Sequence, residues 1–313
     1  MNKKQFDEFK SQNIYPIAKH LNNIDPYLIF KGSNREIPVR KGLVDLIIPN
    51  AAGPKVLGRL IKSLMDNLTY TLKNSKGEAV GGVRIIVVSQ GECGSHALLQ
   101  NLQKQYPDVI YPIYKDVNFP PPIPYNDGME YSAVKMNPLS EYIMFLDDDM
   151  VVLQPGLIEK ELEHLEKYDF ANVATEHCFF GDKSKLGPNG DAKDFGMGSF
   201  FFRRKLFEQV GYLDEYFKFH CSDTDFNRRI RLKKHKIAVI PDTEKLMFHE
   251  HQQGTHNFFK GRHQHIIDND WVMFRKKWYD HGHPNDDIDF NCEECNIIAK
   301  TQLPLGRINY LYG

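Results

Sequence analysis

Apolar residues gather along this chain in short dense runs, and stretches of helical periodicity separate the runs. Residues 43–48 (LVDLII) are apolar except for Asp45. So short a run, closed by Pro49, predicts a strand covered on both faces. Leu57, Leu60, Ile61 and Leu64 then recur at helical spacing. VRIIVVSQGECGS, from residue 83, repeats the order of strand and glycine-containing loop. NFPPPIPYNDG reads as a proline-rich loop, with a helix predicted from Met129 to Met136. Tyr142–Leu146 is the next strand, and LIEKELEHLEKY after Pro155-Gly156 the next helix. Further on, GSFFFRRKLFEQVGYLDEYF predicts a strand, a helix and a glycine turn. SDTDFNRRIRLKKHK predicts a helix and IAVIPD a strand. Strands alternating with helices imply an α/β domain whose mainly parallel sheet is covered on both faces, with ligands at the carboxyl ends of its strands. Residues 1–40 read as a helical leader broken at Pro16 and Pro26. The last fifty residues, with two tryptophans and a Cys-x-x-Cys pair, read as a tail packed on the domain.

Length and charge bound the function. The 313 residues suffice for one large α/β domain or two small ones, and the formal net charge of -1 provides no global basic field. That argues against nucleic acid as an obligatory partner. The basic groups FRRK, RRIRLKK and FRKKW are compatible with a local patch, but a solvated helix face is the favoured reading of RRIRLKKHK, since a basic helix needs no special partner. No apolar run reaches transmembrane length, and the charged amino terminus MNKKQFDEFKSQ lacks a signal-peptide core. Five cysteines without framework spacing imply reduced thiols and a cytoplasmic location.

The chemistry concentrates where the strand Tyr142–Leu146 runs into Asp147, Asp148 and Asp149. Three adjacent carboxylates repel one another, and burying one unpaired costs several kcal/mol, roughly, or forces protonation. In extended backbone residues i and i+2 share a side, so Asp147 and Asp149 project together and Asp148 turns away. Two carboxylates on one side suit a hard divalent cation, Mn²⁺ or Mg²⁺, and through it a diphosphate. The alternative is an exposed acidic turn before a helix.

From this point the sequence resembles the GT-A glycosyltransferases of the family-2 type, over about residues 43 to 250. VDLIIPN is similar to the family's first strand and YIMFLDDDMVVLQPG to its Asp-x-Asp strand. GMGSFFFRRKLFEQVGYLDEYF resembles its glycine loop and the segment after it. SDTDFNRRIRLKKHKIAVIPD resembles its acidic catalytic segment, and MFHEH its carboxyl-terminal histidine. The resemblance implies a Rossmann-like GT-A domain over 41–250, with a lid and tail over 251–313. It implies a metal-dependent inverting transfer of a hexosyl or pentosyl group from a nucleotide sugar, with a UDP-sugar favoured. In that reading Asp147, Asp149 and His249 ligate the metal, and Asp147 and Asp148 face the nucleotide. Pro49, Asn50, Ser89, Gln90 and Gly198 line the donor site, with Gly196 beside them. Asp223 is the base that takes the acceptor proton, and Asp225 is structural, capping the following helix.

The sequence departs from the pattern in three places. Ser222 stands where the family often has glutamate. Ser89 and Gln90 replace an aspartate that contacts uracil, so the base is read differently or the donor is not a uridine nucleotide. NAAGPK lacks the usual aromatic-Asn pattern in the first loop. The acceptor stays open among glycan, small molecule, protein and hydroxylated bases of viral DNA. Two other classes compete: a glycoside hydrolase built on paired carboxylates, and a non-catalytic metal- or sugar-binding module. His249, His251, His256, His263 and His265, with Gly254 and Gly261, suggest a polar lid that orders with metal and donor. His281, His283, Cys292 and Cys295 are candidate zinc ligands, against a reading of buried thiols.

Overall fold

The computed structural model describes residues 37–173, 198–218, 220–240, 244–250, 263–278, 292, 293 and 295. In chain order the elements are β1 (Val39–Asn50), α1 (Pro54–Asn67), β2 (Thr71–Lys73), β3 (Ala79–Gly81), β4 (Val83–Ser89), α2 (His96–Gln105), β5 (Ile110–Tyr114), α3 (Pro122–Lys135), β6 (Leu139–Leu146), β7 (Met150–Val152) and α4 (Leu157–His164). They continue with β8 (Phe170–Val173), β9 (Ser199–Arg203), α5 (Arg204–Val210), α6 (Ser222–Leu232), β10 (Ile237–Ile240), β11 (Met247–His249) and α7 (His263–Trp278).

Seven strands form the main sheet in the order β10-β8-β9-β6-β1-β4-β5. β9 runs antiparallel to β6 and β8, and the other pairings are parallel. Successive side chains of β1 leave opposite faces. Val44, Leu46 and Ile48 pack with Leu57, Leu60, Ile61 and Leu64 of α1. Ile47 packs on the other face with Tyr125, Met129 and Ala133 of α3. Both faces are therefore core, which is why the strands read as unbroken apolar runs. α3 lies so close to β1 that a Cβ on Gly128 would stand 2.3 Å from Ile47 Cγ2, leaving room only for glycine.

The structure departs from the sequence reading in four places. β1 begins at Val39, inside the stretch read as leader. α3 begins at Pro122, inside the stretch read as loop. The first N–H groups of a helix have no intrahelical acceptor, so Pro122 and Pro124 forfeit nothing there. α4 stops at His164 rather than Tyr168. The basic face of α6 is not solvated, because Arg228 and Arg229 are buried. Arg229 donates to Asp225 and to the carbonyls of Val210 and Tyr212, and Arg228 lies over the Trp278 ring. Arg204 of FRRK is buried as well, bonded to Asp45, Ser132 and Ser140. Two of the three basic groups thus commit arginines to the interior.

Candidate active site

The aspartate triplet forms the turn between β6 and β7, at the carboxyl end of the parallel strands. It is not extended: the Met150 N–H donates to the Asp147 carbonyl across 3.3 Å. The turn nevertheless separates the side chains as alternation predicts. Asp148 points back into the protein, where one oxygen accepts from Asn50 Nδ2 (2.7 Å), Ala51 N–H (2.8 Å) and Ala52 N–H (2.9 Å). Asp148 therefore fastens the loop after β1 to the triplet. β7 pairs antiparallel with β11, and their register sets His249 opposite Met150. That pairing brings His249 Nε2 to 2.9 Å from Asp149 Oδ1. One ligand atom each from Asp147, Asp149 and His249 lie within 4.8 Å of one another. Two carboxylates and an imidazole fit Mn²⁺ or Mg²⁺, with positions left for water or phosphate oxygens.

The electrostatics show a site rich in negative charge. Burial, and then the Asp149 carboxylate, push the Asp147 pKa up to about 7. Burial pushes Asp148 to about 6, against the three hydrogen bonds that favour its charged form. Burial alone would lower His249. The hydrogen bond to Asp149 and the neighbouring carboxylates outweigh it and raise the pKa. A divalent cation would relieve the same repulsion, so the donor set and its charge both fit one.

The sequence reading missed Tyr125. Its hydroxyl donates to Asp147 Oδ1 at 2.5 Å, while its ring packs 4.7 Å from Phe145. Its one signal is an aromatic residue in the proline-rich stretch PPPIPY, which reads as loop in the sequence but belongs to α3 from Pro122.

The other expected residues divide into two groups. Gly198 meets the triplet directly: its carbonyl accepts the Asp147 N–H at 3.2 Å. Asn50 and Ser89 have no exposed surface and Gln90 almost none. Their side chains are committed within the fold. Cys93 Sγ donates to Asn50 Oδ1 at 3.1 Å, Ser89 Oγ lies 3.5 Å from Cys93 Sγ, and Gln90 Oε1 accepts the Phe119 N–H. Pro49 is buried as well.

Asp223 is half-buried in the first turn of α6, with its Oδ1 accepting the Thr224 N–H at 2.8 Å. Asp225 is fully buried but caps nothing. It accepts from Arg229 Nε (2.8 Å) and Trp278 Nε1 (2.9 Å), and Lys277 Nζ lies 2.6 Å away. Burial opposes its ionisation, but Lys277 and Arg229 hold its pKa below the usual carboxylate range. His265 sits exposed on α7, and His263 begins that helix, so neither belongs to a loop. Gly196, His251, His256, Gly254, Gly261, His281 and His283 lie outside the described residues. Cys292 and Cys295 are buried and not joined in a disulfide, and the Cys295 N–H donates to Cys292 Sγ at 3.3 Å.

A mainly parallel α/β sheet carrying an Asp-x-Asp turn at its strand ends defines a glycosyltransferase of the GT-A fold. The sequence profile of glycosyl transferase family 2 matches residues 45–230, more than half of the chain, and the protein belongs to that family. It is therefore a glycosyltransferase. Among solved structures, the mannosyltransferase PcManGT from Pyrobaculum calidifontis, in complex with GDP-Man and Mn²⁺, superimposes with a TM-score of 0.58. The identity is 10%, over 93% of this chain and 76% of that one. TarS 1-349 of S. aureus gives 0.50 at 15% identity, over 84% and 71% of the two chains. This chain spans 40% of the longer TarS structure. These likenesses concern the fold. No curated protein matches the sequence. Among the described residues no helix is long and apolar enough to cross a membrane.

Proposed function

We propose that this protein moves a sugar from a nucleotide sugar to an acceptor hydroxyl, with a divalent cation at Asp147, Asp149 and His249 and with inversion at the anomeric carbon. The observation that carries the reading is the convergence of those three side chains, from two segments about a hundred residues apart, within 4.8 Å. The Mn²⁺ and GDP-Man in PcManGT support it. When bound, the cation supplies charge neutralisation for the departing nucleoside diphosphate.

The chain's own residues do the rest. Asp148 holds the loop 50–52 against the triplet, so the donor meets a preformed wall. Tyr125 donates a neutral hydrogen bond that orients Asp147. Asp223 stands in the first turn of α6, at the positive end of that helix. From there it takes the proton as the acceptor oxygen attacks. The proposed donor is a UDP-sugar, read by groups other than Ser89 and Gln90. The acceptor is a glycan, small molecule, protein or modified DNA, and the burial of Arg204, Arg228 and Arg229 favours the first three.

The test is a thermal-shift panel of UDP-glucose, UDP-N-acetylglucosamine and GDP-mannose, each with and without Mn²⁺. A ligand at a hundred times its Kd stabilises by about 2.7 kcal/mol, a rise of several degrees in Tm. The shift is expected to require Mn²⁺. Its absence for every donor, or its persistence without metal, refutes the proposal.

A further inference from the structure

The family match ends at residue 230, yet α7, residues 263–278, reaches back to the segment that presents Asp223. Cys221, two residues before Asp223, has φ 68°, in the left-handed region that side chains other than glycine, asparagine and aspartate rarely occupy. Such a conformation persists only where its surroundings over-determine it. The surroundings come largely from α7. Buried Asp270 receives the Lys218 N–H on both carboxylate oxygens (3.1 and 3.0 Å) and the His220 N–H on Oδ2 (2.8 Å). Lys277 bridges Asp214 Oδ2 (2.7 Å) and Asp225 Oδ1 (2.6 Å), on either side of the turn. Phe274 and Trp278 close a small core over Phe217, Cys221 and Leu232.

We propose that α7 is a positioning element for the base, and that Asp270 is its principal positioning residue. The inference rests on the reading of Asp223 as the base. Asp270 collects the backbone N–H groups of Lys218 and His220 and sets the chain direction into Cys221. The left-handed turn then delivers Asp223 to the first turn of α6. The metal site stands on β6, β7 and β11 and has no part in this clamp, so donor binding and turnover separate.

The experiment compares Asp270→Ala and Asp270→Asn with Asp223→Asn, using whichever panel donor gives the Mn²⁺-dependent shift. Nucleoside diphosphate release reports turnover and calorimetry with Mn²⁺ reports donor affinity. Asp270→Ala is expected to lower kcat about tenfold or more with donor Kd within twofold. Asp270→Asn, which keeps one acceptor oxygen, is expected to fall between it and the wild type. Adding Asp270→Ala to Asp223→Asn is expected to change kcat little, because the two act as one unit. Wild-type turnover in either folded variant overturns the inference, as does a kcat loss matched by an equal loss of donor affinity. Should the alanine variant fail to fold, the asparagine variant alone decides by the same criteria. A fall in Asp223→Asn with none in the Asp270 variants sinks the positioning role and leaves the base reading standing. Full turnover in Asp223→Asn sinks the base reading itself.

Discussion

Glu161 offers a test of the interior on which the active site stands. It lies on α4, with no exposed surface. Ser199 Oγ donates to its Oε1 at 3.1 Å, and its Oε2 has no partner among the described residues. Ser199 follows Gly198, whose carbonyl holds the Asp147 backbone. Burial raises the Glu161 pKa from 4.5 to about 8. The folded protein thus keeps a proton that the unfolded chain releases, and stability falls as pH rises between those values. The stabilisation is whole below pH 4.5 and lost above pH 8. At about 1.4 kcal/mol per decade the interval limits the loss to about 5 kcal/mol. Relaxation and water entry reduce it, to about 2 kcal/mol or more. Glu161→Gln keeps the shape and the bond to Ser199 but removes the titration. Urea denaturation at pH 5, 6.5 and 8 supplies the assay. Other carboxylates also titrate, so the quantity that counts is the difference between variant and wild type. It is expected to grow in favour of glutamine by about 2 to 3.5 kcal/mol across that range. Parallel profiles would refute the argument that Glu161 is held neutral.

Three further outcomes follow from the site. Asp149→Asn is expected to abolish metal-dependent donor binding without unfolding the protein, and calorimetry showing undiminished affinity for donor with Mn²⁺ would remove the metal assignment. Asp223→Asn is expected to lower turnover by roughly a hundredfold or more with donor affinity near wild type; NMR of the wild-type product showing a retained anomer would count against inversion and against the base. Asp148→Ala deprives Asn50, Ala51 and Ala52 of their shared acceptor and is expected to cost about 3 kcal/mol in denaturant and to weaken donor binding; unchanged values in both would show that the loop holds its place without it.

The sequence by itself determined the architecture and singled out Asp147 and Asp149 as a pair. Strands packed on both faces are largely apolar, so β1, β4 and β6 stand out in the sequence. Two carboxylates two residues apart beside such a strand suit a cation, but an exposed acidic turn reads the same until the rest of the chain is considered. His249 was legible only through likeness to a family, because no local pattern carries a contact across a hundred residues. Only the tertiary structure decided the rest. Arg228 and Arg229 look solvated in a basic run, and Asp225 looks like a helix cap, until Trp278 and Lys277 arrive from the far end of the chain. The partners that Ser89, Gln90 and Asn50 take from the loops at 93 and 119 are likewise invisible in the sequence. Tyr125 becomes part of the site only once α3 crosses β1. Apolar periodicity is local and survives in the sequence, whereas the partner of a buried polar group is set by packing between distant segments, which nothing short of the folded chain displays.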